Sequence, residues 1–476
     1  MIRRLISCAA LLCCVSACAQ APAALPQPVR VSASEAALLD DLSERTFRFF
    51  WDTASPANGL IPDRYPTPSF SSIAAVGFGL TAYAVGVERG YITRAQARDR
   101  TLLTLRFFRN APQGDAAEGM SGYKGFFYHF LDMKTGARSS RSELSTVDTA
   151  LLIAGVLHAQ SFFNGQDAGE AEIRKLADEI YRRVDWRWAQ ARPPSIVLGW
   201  HPESGPLPYD WKGYSEAMLL YVLALASPTH PVGPDAWKAW TSTYDKTWAN
   251  VYGQEHLAFA PHFGHQYSHV WIDFRGIQDD YMRHRGLDYF ENSRRATYAQ
   301  RAYAVANPLG CKGYGANLWG VTASDGPADV ELTDAGKKRV YRSYAGRGMG
   351  ADHYDDCTIA PTGAAASIAF APEIAIPAIV HMRERYGSQI YGKYGFLDAF
   401  NPSFDYSARL SNGRRVPGFG WIDTDYLGID QGPIVAMLAN HRNEAVWRVM
   451  RTNPVIRDGL RKAGFKGGWL DAEAAK

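Results

Sequence analysis

Cysteine is almost absent from the body of this 476-residue chain: of six, Cys8, Cys13, Cys14 and Cys18 fall at the extreme N-terminus, and only Cys311 and Cys357 remain. No Cys-x-x-Cys pair accompanies them, so no thiolate zinc site is indicated. Charge of one sign is also missing. Fifty-one Lys and Arg against 48 Asp and Glu leave a formal +3, interspersed along the chain, with no basic stripe for nucleic acid and no acidic tail. A small or neutral ligand fits that balance better than a polyanion. No Gly-x-Ser-x-Gly elbow appears, which weakens Ser-His-Asp catalysis. The glycines at Gly346, Gly348 and Gly350 follow no clear strand and make no nucleotide loop. Without a Gly/Ser or Pro-rich internal linker or a repeat, residues 36–476 read as one large domain.

The first residues do carry a pattern. Arg3 and Arg4 precede an apolar run from Leu5 to Val15, too short to span a bilayer, and then Ser16, Ala17 and Cys18. Val15 to Cys18 resembles the lipobox of bacterial lipoproteins, which makes residues 1–18 a signal peptide and Cys18 the lipidated residue. An ordinary secretory signal cleaved near Ala19 or Ala24 is the alternative. Residues 19–35, rich in Ala and Pro, read as a tether. Ala19 and Gln20 place no Asp after the cysteine, which by resemblance to Gram-negative sorting signals favours the outer membrane, facing the periplasm. In that oxidising compartment Cys311 and Cys357 are most simply a disulfide, with two buried free thiols as the alternative.

Aromatic residues are plentiful at 13%, with 13 Trp, 25 Tyr and 22 Phe, and they crowd the segments between apolar helices as well as the helices. Apolar periodicity predicts helices at about 36–50, 73–89, 94–110, 145–162, 170–184, 214–226, 234–250, 277–306, 361–370, 373–386, 431–440 and 442–463. The fold class is therefore all-α. Some of these helices are apolar all round, as from Thr149 to Leu157, and others amphipathic, as from Ala168 to Arg183. That alternation predicts an inner layer covered by an outer one. A small β-hairpin is expected from Gly125 to Arg138 around a turn at Lys134 to Gly136. Long connections at 185–213, 251–276, 307–360 and 387–430 carry chemistry-capable side chains.

Acids recur just before apolar helices. Tyr209, Asp210, Trp211, Lys212, Tyr214, Ser215 and Glu216 lead into the run from Ala217 to Ala226. Ser215 as N-cap and Glu216 as a first-turn acid is the structural explanation. The catalytic one is that aromatic walls desolvate Glu216 and suit it to general acid work, while Tyr209, Trp211 and Tyr214 offer faces to sugar rings. Glu143, Ser145, Thr146 and Asp148 precede the helix at 150–157 in the same way, and Asp423, Asp425 and Asp430 precede the one at 431–440. Two carboxylates from separate elements are the minimum for glycoside hydrolysis. His262, His265 and His269 suggest a metal only if a helix joins His265 to His269, and Gly264 argues against one. They read instead as hydrogen-bonding groups.

These motifs carry a family resemblance. Gly77 to Thr81 with Glu88 to Gly90, Gly125 to Gly136, Ser142 to Leu152, Glu216 to Met218, His265 to Arg275, Tyr289 to Arg294, Thr322 to Pro327, Ile359 to Thr362 and Gly428 to Ile434 resemble the bacterial glycoamylase-like family. Part of that family is glycoside hydrolase family 144, the β-1,2-glucanases. The resemblance implies an (α/α)6 barrel, a double ring of about twelve helices with long loops at its cleft. It also implies inverting, metal-independent hydrolysis of β-1,2-glucan to sophorose or short sophoro-oligosaccharides, with no cofactor. A transglycosylase acting on β-glucans and a non-catalytic glucan-binding lipoprotein are the alternatives.

By the same resemblance Glu216 is the acid, and Asp148, then Glu143, match other acidic positions of the cleft, with Asp430 as a wider candidate. Substrate contacts are expected from Tyr209, Trp211, Tyr214, His265, Gln266, Trp271, Asp273, Arg275, Tyr314, Asn317 and Trp319, besides Asp430. Ser215 stands where the pattern favours Asn. Cys311 and Cys357 both replace non-cysteine residues, which fits a disulfide joining loops at the cleft. A monomer is expected, acting on an oligo- or polysaccharide, with no nucleic acid partner and membrane contact only through Cys18.

Overall fold

A computed structural model describes residues 30–334, 337–350 and 353–472. The expected signal, Cys18 and most of the tether lie outside the described residues. From Ser32 onward the chain forms one compact unit.

Ten helices organise it: α1 (Ala33–Thr53), α2 (Ile73–Glu88), α3 (Arg94–Asn110), α4 (Thr146–Phe162), α5 (Ala168–Arg183), α6 (Met218–Ala226), α7 (Tyr289–Ala306), α8 (Pro372–Arg385), α9 (Gly428–Asn443) and α10 (Pro454–Lys462). The apolar ones pack side by side in the order α9, α2, α4, α6. Every residue of α6 is buried, and each such Leu or Val is worth roughly 1.5–3 kcal/mol of burial. Amphipathic helices cover this row: α1 lies on α2 and α9, α3 on α2 and α5, α5 on α4, and α10 on α6. Helices α2 and α4 meet backbone to backbone, since a Cβ on Gly155 would lie 2.1 Å from the Gly77 carbonyl oxygen. The outer helices have strong starts, with Ser32 and Glu35 forming a capping box on α1 and Thr93 and Gln96 forming one on α3.

Several predicted helices divide. The 277–306 segment breaks at Gly286, whose φ of 68° ends the short helix Asp280–Arg285. The 442–463 segment breaks where Pro454 opens α10 and Asn453 caps it, and 234–250 yields only Asp235–Thr241 and Tyr244–Thr247. The segment read as non-helical around Gly264 is helical after all, with a 3-10 turn at His262–His265 followed by Tyr267–Trp271.

The hairpin also differs. Phe126–Tyr128 pairs with Gly122–Tyr123 on one side and Leu144–Ser145 on the other, and Gly199–His201 and Gly205–Pro206 extend this to a five-stranded antiparallel sheet. Across the Lys134 to Gly136 turn the pairing is short, with the Leu131–Arg138 bridge and the Asp132 N–H donating to the Ala137 carbonyl at 2.8 Å, while the other edge of Phe130–Leu131 pairs with Ser71–Ser72. Ser72 and Ser145 thus end strands and cap α2 and α4, so strand pairing sets where both helices enter the cleft.

Candidate active site

A cleft of about 600 Å³ opens at these helix entrances, walled by the 63–72 loop, the 129–130 segment, the starts of α4 and α9, the approach to α6, and the 323–325 and 344 strands. Its floor and walls carry seven carboxylic residues: Asp63, Glu143, Asp148, Glu216, Asp325, Asp398 and Asp430.

At the entrance to α4, Ser145 accepts the Asp148 backbone N–H through Oγ at 3.2 Å and donates its hydroxyl to Asp148 Oδ2 at 2.5 Å. The His129 ring stands between two acids, with Nδ1 2.8 Å from Glu143 Oε1 and Nε2 3.6 Å from Asp148 Oδ2. Burial alone would lower the His129 pKa, but Asp148, Glu143 and Asp63 outweigh it and raise it to about 9. Burial raises Glu143, yet the His129 hydrogen bond and charge leave it below the usual value.

At the entrance to α6 the arrangement is different. The helix begins only at Met218, and Ala217, in the N-cap position, makes no side-chain cap. Ser215 is therefore not the cap expected, and Glu216 stands ahead of the helix. Its backbone carbonyl accepts the Ser268 hydroxyl at 2.9 Å, and Ser268 Oγ accepts the Leu219 N–H at 3.0 Å, so the Tyr267–Trp271 helix pins the turn. Only 9% of Glu216 is exposed, and Oε2 has no hydrogen-bond partner. Burial pushes this carboxyl up to about 7, against a smaller pull from its own backbone, with the Asp148 charge adding to the rise. A carboxylic acid that holds its proton near neutrality and has a free oxygen in a cleft is equipped to donate that proton.

The third acidic group forms the floor. Asp430 lies in the first turn of α9 with Oδ2 unpartnered, and burial is the main cause of a pKa of about 7. Asp325, Asp398 and Asp423 bring one oxygen each within 4.8 Å of one another, close enough to share a cation. Arg64 is the cation placed among the floor acids, 2.6 Å from Asp325 Oδ2, 3.2 Å from Asp63 Oδ2 and 3.8 Å from Asp425 Oδ2. Protons supply the rest of the compensation, since burial and mutual repulsion push Asp423 up to about 9 and Asp398 well up.

Five of the expected site residues line the cleft: Glu143, Asp148, Trp211, Glu216 and Asp430. Trp211 is oriented by donating Nε1–H to Thr146 Oγ1 at 3.0 Å. The other expected substrate contacts fall elsewhere. Trp271 stacks on Phe78 and donates to Thr81, Trp319 is fully buried, and Tyr214 stacks on Tyr289 with its hydroxyl at Ser293. His265 is buried beside His256 and His262, and Gln266 donates to Gly363 O and Ser367 Oγ. Asp273 is neutralised by Arg275 and Arg451, and Arg275 also reaches Glu444. Tyr314 donates to Asp355; Asn317 is exposed away from the cleft lining, as is Tyr209, at 68%. These are packing and ion-pair roles, and the same residue types serve core and sugar contact alike.

Cys311 and Cys357 form a disulfide across 46 positions. It closes the 307–360 connection on itself, and neither cysteine lines the cleft. Asp352, one of the chemistry-capable acids of that connection, lies outside the described residues.

The cleft also contains groups not expected from the sequence. His129 lies inside an aromatic run, where a lone ionisable residue is the available signal. Asp63, Arg64 and Asp398 are isolated charges in otherwise apolar stretches. Tyr344, 61% exposed, also lines the cleft.

Residues 208–454 match the Glycoamylase family, described as "Putative glucoamylase". An exo β-1,2-glucooligosaccharide sophorohydrolase (non-reducing end) from Parabacteroides distasonis is 28% identical over 459 residues, covering 89% of this chain. The chain spans 57% of that curated relative's length. The endo-β-1,2-glucanase of Chitinophaga pinensis, solved with sophorotriose and glucose, superposes with a TM-score of 0.78 at 27% identity, covering 92% of this chain and 100% of its own. A β-1,2-glucanase structure from P. distasonis gives 0.77 at 26% identity, over 92% of this chain and 61% of that one. The matched segment is more than half of the chain and holds both Glu216 and Asp430, and the chain belongs to the Glycoamylase family.

Proposed function

We propose that the protein is a glycoside hydrolase that cleaves β-1,2-glucan, with Glu216 protonating the leaving glycosidic oxygen and Asp148 taking a proton from the attacking water. The observation that carries this reading is the Glu216 carboxyl, buried at the cleft with Oε2 free and held near pH 7. Asp148 is the preferred base because the Ser145 hydroxyl donates to it, the His129 ring stands 3.6 Å away, and it lines the same cleft as Glu216. Glu143 and Asp430 are the other candidates. Trp211 and Tyr344 offer ring faces for glucose units, and Asp430 and Asp398 line the same cleft as polar groups for sugar hydroxyls. The named activities of the relatives from P. distasonis and C. pinensis support the substrate.

The finer reading is inversion without a metal, releasing sophorose or short sophoro-oligosaccharides, in a helical double ring closed as an (α/α)6 barrel. We further propose a monomer, tethered by a lipid on Cys18 to the outer membrane, which acyl labelling of wild type but not of Cys18→Ala checks.

The decisive test is product chromatography with linear β-1,2-glucan, wild type beside Glu216→Gln, with anomer detection by NMR. Discrete sophoro-oligosaccharides of inverted anomer from wild type alone are expected. Products that lengthen at high substrate would identify a transglycosylase. Tight binding without turnover in both proteins would overturn catalysis in favour of capture.

A further inference from the structure

His129 is held on every side. Its N–H donates to the Glu143 carbonyl at 2.9 Å and its carbonyl accepts the Ile73 N–H at 3.2 Å, which ties it to the approach to α4 and the start of α2. Its ring stacks on Phe130, with centroids 3.9 Å apart and planes 19° apart, and Phe130 in turn lies against Phe70. This stack holds the ring plane between two acids. Each meets a carboxylate: Nδ1 meets Glu143 and Nε2 meets Asp148. A neutral imidazole has one N–H and one lone pair, so one of the two acids would face a lone pair. Only the doubly protonated ring suits both.

We propose that His129 is a positioning residue, an imidazolium that clamps Glu143 and Asp148 as a fixed pair of carboxylates on one wall of the cleft and leaves proton donation to Glu216. The charged groups facing this ring are Glu143, Asp148 and, from the 63–72 loop, Asp63. His201 adds a second, weaker positive influence on Glu143, while Arg64 neutralises Asp63 from its far side. The raised proton affinity of His129 agrees with the geometry. The clamp explains how two acids in one wall remain available to bind a water or a sugar hydroxyl without sharing a proton between them, as close carboxylates otherwise do. The assignment of a catalytic purpose to the clamp rests on the hydrolase reading above; the clamp itself does not.

The test therefore has two arms. In the first, the full chain labelled with ¹⁵N-histidine is titrated by NMR, and the His129 signal is identified by its loss in His129→Gln. A midpoint near 9 in wild type, falling by about one unit or more in Glu143→Gln, is expected. A midpoint at or below that of free imidazole overturns the proposal whatever the activity. In the second arm, the pH profile of β-1,2-glucan cleavage is measured. His129→Gln is expected to move the acidic limb toward neutrality and lower kcat at pH 6 by about tenfold or more, with KM changing less. Glu143→Gln added to it restores part of the shift, because one carboxylate then no longer competes for a proton. An equal loss at every pH, unrelieved by the second substitution, overturns the clamp. If wild type cleaves no β-1,2-glucan, the hydrolase reading fails and the NMR arm still decides the clamp.

Discussion

The entrances to α4 and α6 begin from nearly the same sequence, a hydroxyl residue and an acid ahead of an apolar helix, and end in different chemistry. At α4 the serine caps, and Asp148 lies inside the first turn with a donor on its oxygen and a cation beside it. At α6 the helix starts two residues after the acid, its N-cap residue Ala217 has no capping side chain, the distant Ser268 takes the Leu219 N–H instead, and Glu216 keeps an oxygen without a partner. The spacing between acid and helix start decides which carboxyl is met by the capping serine and which keeps an oxygen without a partner. A capped first-turn acid and an acid standing ahead of its helix are thus alternative outcomes of one local pattern, about one turn of helix apart.

The largest way to break the comparison is Glu216→Gln, which removes the proposed proton donor while keeping shape. A loss of at least about a thousandfold in kcat on β-1,2-glucan is expected. Stability should move the other way. Because the folded pKa of Glu216 is raised, the unfolded chain loses this proton near 4.5 and the folded chain only near 7, so the acid destabilises the fold progressively between those values and by a constant amount above. The variant should gain up to about 3 kcal/mol relative to wild type at pH 8 compared with pH 4, read by denaturant unfolding.

Next comes Asp148→Asn, which keeps the cap and removes the charge. A loss of about a hundredfold or more in kcat is expected, and the Glu216 pKa should fall, since Asp148 no longer opposes its ionisation. The basic limb of any residual activity then moves to lower pH, which the rate profile reads directly. A basic limb that stays in place would mean the two entrances are not electrostatically joined.

A smaller effect tests the α4 side alone. The His129 pKa is raised in the folded state to about 9 from about 6.5, so its contribution is complete below 6.5 and is lost as pH climbs to 9. Wild type should lose up to about 3 kcal/mol over that window, and His129→Gln should flatten it. The smallest effect is Ser145→Ala, which removes the cap and the Asp148 donor together. It should cost about 1 kcal/mol in unfolding free energy and no more than about tenfold in kcat.

Helix positions were legible because apolar periodicity is a local property, and all twelve predicted segments persist as whole, shortened or divided helices, with explicable breaks at Gly286 and Pro454. Glu143, Asp148, Glu216 and Asp430 were legible for a related reason: an acid next to an apolar run stands out within a dozen residues. Trp271, Trp319, Tyr214 and His265 misled because packing and sugar contact draw on the same side chains, and only tertiary burial separates them. Asp63, Arg64, Asp398 and Tyr344 come from segments far apart in the chain, and nothing local marks them as neighbours.

The buried histidines outside the cleft lining bear on stability in a way that the cleft acids do not. Burial holds His158, His262 and His269 down to about 3 and His265 well down, whereas the same imidazoles in an unfolded chain take up protons near 6.5. Each therefore favours unfolding increasingly as pH falls below 6.5, and four such groups act together. Acid therefore draws on the fold through these four groups, while the raised carboxyls of Glu216 and Asp430, which take up their protons sooner in the folded chain than in the unfolded one, pull the other way.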